Sequence, residues 1–243
     1  MIDQELYKTR VKLVDEFIAR FNREEYHPDL KKGGPDSDRT NLLLLFDSHL
    51  FKSKSDPLFT KAQRMVDDIL TKNTLLDYAS NTWLAKATCQ GSFRGKPTRF
   101  DLYLTVENMG DEVYKWVITK AEGDIFKLTP PVISDEIMLM PDAHETNFMA
   151  LHRITTEQDN LITNYRIKDA ETDQTSIFFA YVYNGLLDIP YVEELEFLFF
   201  QVPGWRFAIH HLDRDESNAG WLITSFCEMS DTEKGEFLTH IYK

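Results

Sequence analysis

Apolar and polar side chains alternate without a break over residues 100–107, a full strand length. The apolar and the polar members occupy alternate positions: Phe100, Leu102, Leu104 and Val106 against Asp101, Tyr103 and Thr105. Successive side chains of a β-strand point to opposite faces of the sheet. The pattern therefore predicts a strand with one packed face and one face that is at least half polar.

Neighbouring segments extend this strand into an antiparallel meander. Residues 83–93 form the predicted strand before it, and residues 113–121 form the predicted strand after it. Asn108 and Gly110 supply the chemistry of a tight turn between the last two strands. A sheet of this kind buries its apolar face under another layer, so helices are expected on that side.

Two helices precede the meander. Residues 3–25 repeat apolar side chains at spacings of three and four, which is typical of an amphipathic helix. A second helix begins at Asp56 and Pro57, because Asp accepts hydrogen bonds from free N–H groups and Pro suits the first helical position. Between them, residues 28–40 are predicted to be a loop, whereas residues 41–51 fit either a short helix or a strand.

The second half of the chain resembles the first. Residues 205–224 align with residues 100–119 without a gap, at an offset of 105 positions. Within this alignment, residues 116–119 and 221–224 share a Trp, two aliphatic residues and a Thr in the same order. An internal repeat explains the likeness, and so does the general similarity of amphipathic hairpins. Residues 173–187 fit either a helix or a strand.

The predicted fold class is α+β, with helices packed on antiparallel β-meanders. Residues 1–127 form a helix-helix-meander half, residues 128–143 a connector, and residues 144–243 a second helix-meander half. This second half ends in a helix whose capping box is Ser230 and Glu233. The two halves are either separate or packed as one globular unit.

The element order is similar to that of the NTF2-like group, also called cystatin-like cones. The likeness is carried by a long first helix (6–21), a second capped helix (56–70) and a meander of long strands (83–121). It implies a sheet curved around the helices with an apolar pocket, and a second, degenerate copy would account for the rest of the chain. Members of the group include binding proteins, isomerases, dehydratases and interaction modules. The likeness brings no catalytic motif that could be placed on particular residues.

The formal net charge of −13 restricts the partners of the chain. A negative surface repels phosphate groups and anionic lipids, so neither a nucleic acid nor a membrane is expected as a partner. The first residues lack the apolar run of a signal peptide, and no run approaches the ~20 apolar residues that span a bilayer. Cys89 and Cys227 are predicted to be buried thiols in strands. Together these features predict a cytoplasmic protein.

Common catalytic and cofactor motifs are missing from the sequence, so no cofactor is predicted. The densest polar cluster is residues 210–216. His210 and His211 point to opposite faces of a strand, which does not suit ligation of one metal ion. The residues after them lack the glycine and the glutamate of a calcium loop. No metal site is predicted, and the cluster fits a solvated turn.

Two pairs of side chains are the candidate site residues. Asp101 and Tyr103 are the candidate catalytic pair, because a buried carboxylate beside a phenol can act as a general base if the polar strand face lines a cone pocket. In the alternative, Phe100 and its apolar neighbours face the core and leave Asp101 in water. Thr105 and His210 are the candidate ligand-binding residues.

The sequence favours a non-catalytic ligand-binding or protein-interaction protein, because catalytic motifs are missing while 13% of the residues are aromatic. Its partner would be another protein or a small apolar ligand. The alternative is a small-molecule isomerase or dehydratase that uses the cone pocket. A homo-oligomer that pairs its sheets is a third hypothesis.

Overall fold

The computed structural model describes residues 14–30, 33–34, 36–110, 113–127, 173–215 and 218–242. In these residues, helices pack on six antiparallel strands, the α+β class that the sequence predicts. The predicted connector, residues 128–143, lies outside the described residues, as do residues 144–172 of the predicted second half. None of the described helices combines the length and the apolar character that crossing a membrane requires.

The elements are numbered in chain order. The helices are α1 (residues 14–21), α2 (Ser37–Leu43), α3 (Pro57–Thr71), α4 (Gln174–Tyr183) and α5 (Asp231–Tyr242). The strands are β1 (Trp83–Phe93), β2 (Lys96–Asn108), β3 (Tyr114–Glu122), β4 (Leu187–Phe199), β5 (Trp205–Leu212) and β6 (Gly220–Glu228).

The strands form one sheet in the order β3-β2-β1-β4-β5-β6. It consists of two meanders, β1–β3 and β4–β6, which meet where β1 pairs antiparallel with β4. The register of this central pair runs from Trp83 opposite Phe199 to Phe93 opposite Leu187. Strands from both predicted halves of the chain therefore belong to one continuous sheet.

Aspartates cap two of the helices. Asp56 accepts a hydrogen bond from the backbone N–H of Leu58 at 2.9 Å, and Pro57 is the first helical residue, as predicted. Asp173 accepts hydrogen bonds from two N–H groups in the first turn of α4. The chain after Asp173 is therefore helical as far as Tyr183, which decides between the helix and the strand that the sequence left open.

The segment between α1 and α3 differs from its prediction. The loop predicted over residues 28–40 is wrong at its end, because its last residues begin α2. Residues 41–51 combine both of their alternatives: α2 ends at Leu43, and Phe46 then forms a parallel bridge with Ile223 of β6. This bridge gives part of the outer edge of β6 a backbone partner, which protects an edge strand from other chains.

One face of the sheet, here called the core face, packs against α1, α2 and α3. Stacked aromatic rings cross it from β1 to α1: Trp83 on Phe199 (centroids 5.2 Å apart), Phe199 on Phe207 (4.9 Å) and Phe207 on Phe21 (5.8 Å). Helix α4 covers the neighbouring end of the same face through Phe178. Aromatic rings thus occupy the space between these helices and the sheet.

The opposite face, here called the polar face, is covered at one end by α5. Ile241 of this helix is buried in a small cluster with Leu84 of β1 and Leu198 of β4. The helix begins at the predicted capping box, where the backbone N–H of Ser230 donates to the Glu233 carboxylate at 2.7 Å. The polar face also carries the candidate site residues, two of which, Tyr103 and Thr105, lie against α5.

Candidate functional site

All four candidate site residues project from the polar face, but they do not form one site. Asp101, Tyr103 and Thr105 lie on β2 and His210 lies on β5. The register places Tyr103 and His210 in one row across the sheet, with a residue of β1 and a residue of β4 between them. Three strand spacings separate them by about 14 Å. Direct contact between the β2 candidates and His210 is therefore absent.

Asp101 is held by two neighbours on β1. Its carboxylate forms an ion pair with Lys86 at 3.1 Å and accepts a hydrogen bond from the Thr88 hydroxyl at 2.7 Å. The two contacts use different oxygen atoms, so both carboxylate oxygens are engaged. Asp101 is thus half-buried and outside both of the clefts described below.

Tyr103 is buried and its hydroxyl donates to the Glu122 carboxylate of β3 at 3.3 Å. Burial, together with the negative charge of Glu122, raises the pKa of the Tyr103 phenol above its usual range. Glu122 also pairs with Lys120 at 3.2 Å. Tyr103 is therefore a neutral hydrogen-bond donor within a network across β2 and β3.

Thr105 lies under the C-terminal end of α5. Its hydroxyl is 3.1 Å from the Tyr242 hydroxyl, which in turn donates to the backbone carbonyl of Asn81 at 2.6 Å. Thr105 is buried by this contact. In this arrangement it helps to dock α5 on the sheet.

His210 lies where β4 and β5 separate. The two strands pair only from Glu196 opposite His210 to Phe199 opposite Phe207, although β4 extends back to Leu187 and β5 on to Leu212. A cleft of about 550 Å³, here called the strand cleft, opens beyond the last pair. Its lining combines carboxylates, imidazoles, hydroxyls and apolar side chains: Glu193, Glu194, Leu195, Glu196, His210, His211, Leu212, Trp221, Thr224 and Ser225.

The imidazole of His210 connects the two walls of the strand cleft. Its Nδ1 is 2.6 Å from the Thr224 hydroxyl of β6, and its Nε2 is 3.2 Å from the Glu194 carboxylate and 3.9 Å from that of Glu196. The next residue, His211, packs its ring against Trp221 with centroids 5.5 Å apart. Because adjacent residues of a strand point to opposite faces, a lining that contains both histidines passes between the strands.

The strand cleft is negative. Glu193 is compensated, since its carboxylate accepts hydrogen bonds from Gln90 and Arg99 at 2.9 Å each. Glu194 and Glu196 have His210 as their ion-pair partner, and no described Lys or Arg lies within ion-pair distance of either. No three His, Cys, Asp or Glu side chains in the described part of the chain are arranged to hold a metal ion.

A second cleft, of about 380 Å³, lies between α3 and the end of β6. Its charged groups are already bonded: Arg64 pairs with Glu228, and Asp68 accepts a hydrogen bond from the Trp205 indole N–H at 2.8 Å. The Arg64 guanidinium also lies over the Trp205 ring, 5.7 Å from its centroid. Its polar groups therefore stabilise the fold, and the strand cleft is the better candidate for a site.

Glu194, Glu196 and Thr224 are site residues that sequence reasoning missed. The available signal was the Glu194-Leu195-Glu196 alternation, which places two carboxylates on one face of a strand. The two glutamates lie beside His210 because β4 pairs with β5, and no local sequence pattern encodes that pairing.

No protein-family model, curated protein or solved structure that was compared with the chain matches it. The fold is accordingly assigned at the level of its class, α+β. Inference of function rests on the geometry and charge of the strand cleft.

Proposed function

We propose that this chain is a non-catalytic binding protein that takes its ligand in the strand cleft. The observation that carries the proposal is the separation of β4 from β5 beyond the Glu196–His210 pair. The resulting volume of about 550 Å³ falls in the range of small-molecule pockets, and its mixture of apolar walls with a few convergent polar groups is typical of them.

The location of the cleft also supports this function. Separated strands forgo ladder hydrogen bonds, so a gap inside a sheet costs stability unless other groups use it. Here the gap is lined by side chains that donate and accept hydrogen bonds, with Thr224, His210 and Glu194 already aligned across it.

The NTF2-like resemblance belongs to the same proposal, with one change. In the cone folds it implies a pocket between sheet and helices, whereas aromatic rings such as Phe199 and Phe207 occupy that space here. We therefore place the ligand in the strand cleft.

We also propose that the two meanders are copies of one repeat. The support is that the residues of β1, shifted by 105 positions, correspond to residues 188–198, which lie inside β4, Leu187–Phe199.

A blocking substitution tests the proposed site. Ser225 lies at the exposed rim of the strand cleft, so Ser225→Trp should fill the opening without removing His210 or its partners. Small-molecule fragments that shift the backbone amide resonances of Glu194, His210 and Thr224 in the wild-type protein should no longer shift them in Ser225→Trp. Thr232→Trp, on the exposed surface of α5, is the matched control and should bind as the wild type does. Equal binding by both variants would contradict the site.

The enzyme alternative is favoured by one observation. His210 is hydrogen-bonded to Thr224 on one side and paired with Glu194 on the other, so the imidazole can orient the Glu194 carboxylate as a general base. An isomerase of this kind removes a proton from carbon and returns one from the base. Ligands recovered from the protein in D₂O should then contain carbon-bound deuterium, and His210→Gln should abolish its uptake. Ligands recovered unchanged support binding without catalysis.

The remaining expectations are proposals about the setting of the protein. The charge of −13 supports a cytoplasmic protein without nucleic-acid or membrane partners. Protein partners and self-association through the sheets are alternatives for the interaction role. Sedimentation velocity at high protein concentration tests self-association, which a monomer throughout the concentration series would exclude.

A further inference from the structure

We infer that the ligand of the strand cleft is an organic cation, an ammonium or guanidinium group carried on an apolar body. The inference rests on the proposed function, since it names the class of ligand for the same site. It depends on three features of the cleft: an uncompensated negative charge, an apolar wall with an indole ring, and a histidine whose ring nitrogens already have partners.

The charge balance of Glu194, Glu196 and His210 is negative in either state of the His210 imidazole, and the second histidine of the lining, His211, pairs with Asp213 at 3.3 Å. Glu194 and Glu196 contribute two carboxylates, and His210 is the one ion-pair partner that the described residues offer them. With a neutral imidazole neither carboxylate has an ion-pair partner among the described Lys and Arg side chains, and with a protonated one the two carboxylates share a single cation. Glu196 has a side chain that is only 23% exposed, so water screens its charge incompletely.

The nearest cation by register does not neutralise this charge. Lys86 of β1 lies directly opposite Glu196 in the pairing of β1 with β4. Its ammonium group is bound instead to Asp101 of β2, at 3.1 Å. The third glutamate, Glu193, forms the ion pair with Arg99 at 2.9 Å, and Glu194 acts on Arg99 only from beyond ion-pair distance. The two described basic side chains nearest the cleft, Lys86 and Arg99, are thus ion-paired with other carboxylates.

The apolar part of the lining indicates the rest of the ligand. Leu195 and Leu212 contribute aliphatic surface, and Trp221 contributes an indole. An apolar body in contact with these side chains gains free energy from leaving water. A carboxylate or phosphate ligand would meet Glu194 and Glu196 instead and be repelled.

The arrangement fits an organic cation better than a metal ion. His210 uses Nδ1 toward Thr224 and Nε2 toward the glutamates, so neither nitrogen is directed at a vacant centre. The two carboxylates alone supply fewer ligands than the six or more oxygen atoms that Ca²⁺ and Mg²⁺ take. Carboxylates can instead accept hydrogen bonds from the several N–H donors of an ammonium or guanidinium group.

Three probes that differ in charge test the inference on the wild-type protein. Phenethylammonium, 2-phenylethanol and phenylacetate share a phenyl ring and a short chain but are cationic, neutral and anionic. Amide shifts of Glu194, His210 and Thr224 report binding, in the millimolar range expected for fragments of this size. We expect phenethylammonium to bind about tenfold more tightly than the alcohol, a preference that two partly exposed ion pairs can supply. Raising the salt concentration should reduce this preference.

Charge-removing variants identify the groups responsible. Glu194→Gln and Glu196→Gln keep the size of the side chain, and each should weaken the binding of phenethylammonium by about threefold without changing the binding of the alcohol. Glu236→Gln, on the exposed side of α5, removes the same charge away from the cleft and should leave all three probes unchanged.

The outcomes separate the two proposals. Equal binding of ammonium and alcohol, or a preference for phenylacetate, would overturn the cation while leaving a binding cleft in place. If Mg²⁺ or Zn²⁺ displaced phenethylammonium and shifted the same amide resonances, the ligand of the cleft would be a metal ion and the organic cation would be wrong. Absence of shifts with all three probes would overturn both the binding cleft and its ligand class.

Discussion

Tyr103 contributes to stability through a phenol that is neutral in the folded chain. Because burial and the Glu122 carboxylate raise its pKa, the folded state retains the phenol proton at a pH where the unfolded state loses it. Its contribution is complete below the ordinary tyrosine pKa of about 10 and is lost as the pH rises above that value. In Tyr103→Phe the free energy of unfolding should no longer show this alkaline decrease, which in the wild type amounts to at most about 1.4 kcal/mol per pH unit.

Urea unfolding at a series of pH values between neutral and alkaline checks this expectation. The free energy of unfolding should fall more steeply with pH for the wild type than for Tyr103→Phe. Tyr114→Phe, at an exposed phenol on β3, is the matched control and should follow the wild type. Parallel curves for all three proteins would show that Tyr103 titrates alike in both states.

Cys89 is chemically protected by its environment. Its side chain is buried in the core, and this burial raises the pKa of the thiol to about 11. At pH 8 about one thiol in a thousand is then the reactive thiolate. We expect iodoacetamide to label the native protein at the half-buried Cys227 first, and Cys89 only after unfolding. Mass spectrometry of Cys227→Ser should therefore find no label on the native protein, and rapid native labelling would contradict the burial.

Residue identities predict the face of a side chain more reliably than its partners. The alternation over residues 100–107 predicts that Asp101 and Phe100 lie on opposite faces, and Phe100 is indeed buried in the core. The contact of Asp101 with Lys86 depends on the register between β1 and β2, which no single strand encodes. For the same reason the sequence places His210 correctly on a strand but does not predict Glu194 beside it.

Among the elements, α5 depends on its capping box. The Ser230 hydroxyl accepts from the Glu233 backbone N–H at 3.3 Å, while the Glu233 carboxylate accepts from the backbone N–H of Ser230. Ser230→Ala should lower the free energy of unfolding by about 1 kcal/mol. Ser230→Thr should retain most of it, since Thr also caps helices. Urea midpoints provide the measurement. If Ser230→Ala were as stable to urea as Thr232→Ala, a control at an exposed position of the same helix, the role of the cap would be contradicted.

Element types are predictable here where local chemistry is decisive. Asp56 with Pro57 and Ser230 with Glu233 mark helix starts, and the structure has helices at both places. The segment after Asp173 is harder, because α4 is apolar on all sides and has no amphipathic period. Its cap distinguishes helix from strand only once Asp173 is seen bound to the N–H groups that follow it. The separation of β4 from β5 has no local signal at all.

At the scale of the whole molecule, the seam between β1 and β4 joins the two meanders. Trp83 of the first meander stacks on Phe199 of the second, and the aromatic row continues to Phe207 and to Phe21 of α1. Separating the meanders would expose these rings to water and break the β1–β4 ladder. Loss of a large aromatic contact of this kind costs about 3 to 5 kcal/mol. The seam should therefore couple the unfolding of both meanders.

The tryptophans make this coupling measurable. Trp83 and Trp116 lie in the first meander, and Trp205 and Trp221 lie in the second. A variant with Phe at 205 and 221 reports on the first meander alone, and one with Phe at 83 and 116 reports on the second alone. For each variant the fluorescence midpoint in urea should coincide with its own far-UV circular dichroism midpoint, because the shared sheet makes unfolding one cooperative event. A meander that loses its tryptophan signal well before the circular dichroism transition would instead be an independent domain, and the β1–β4 seam would be a contact between two domains.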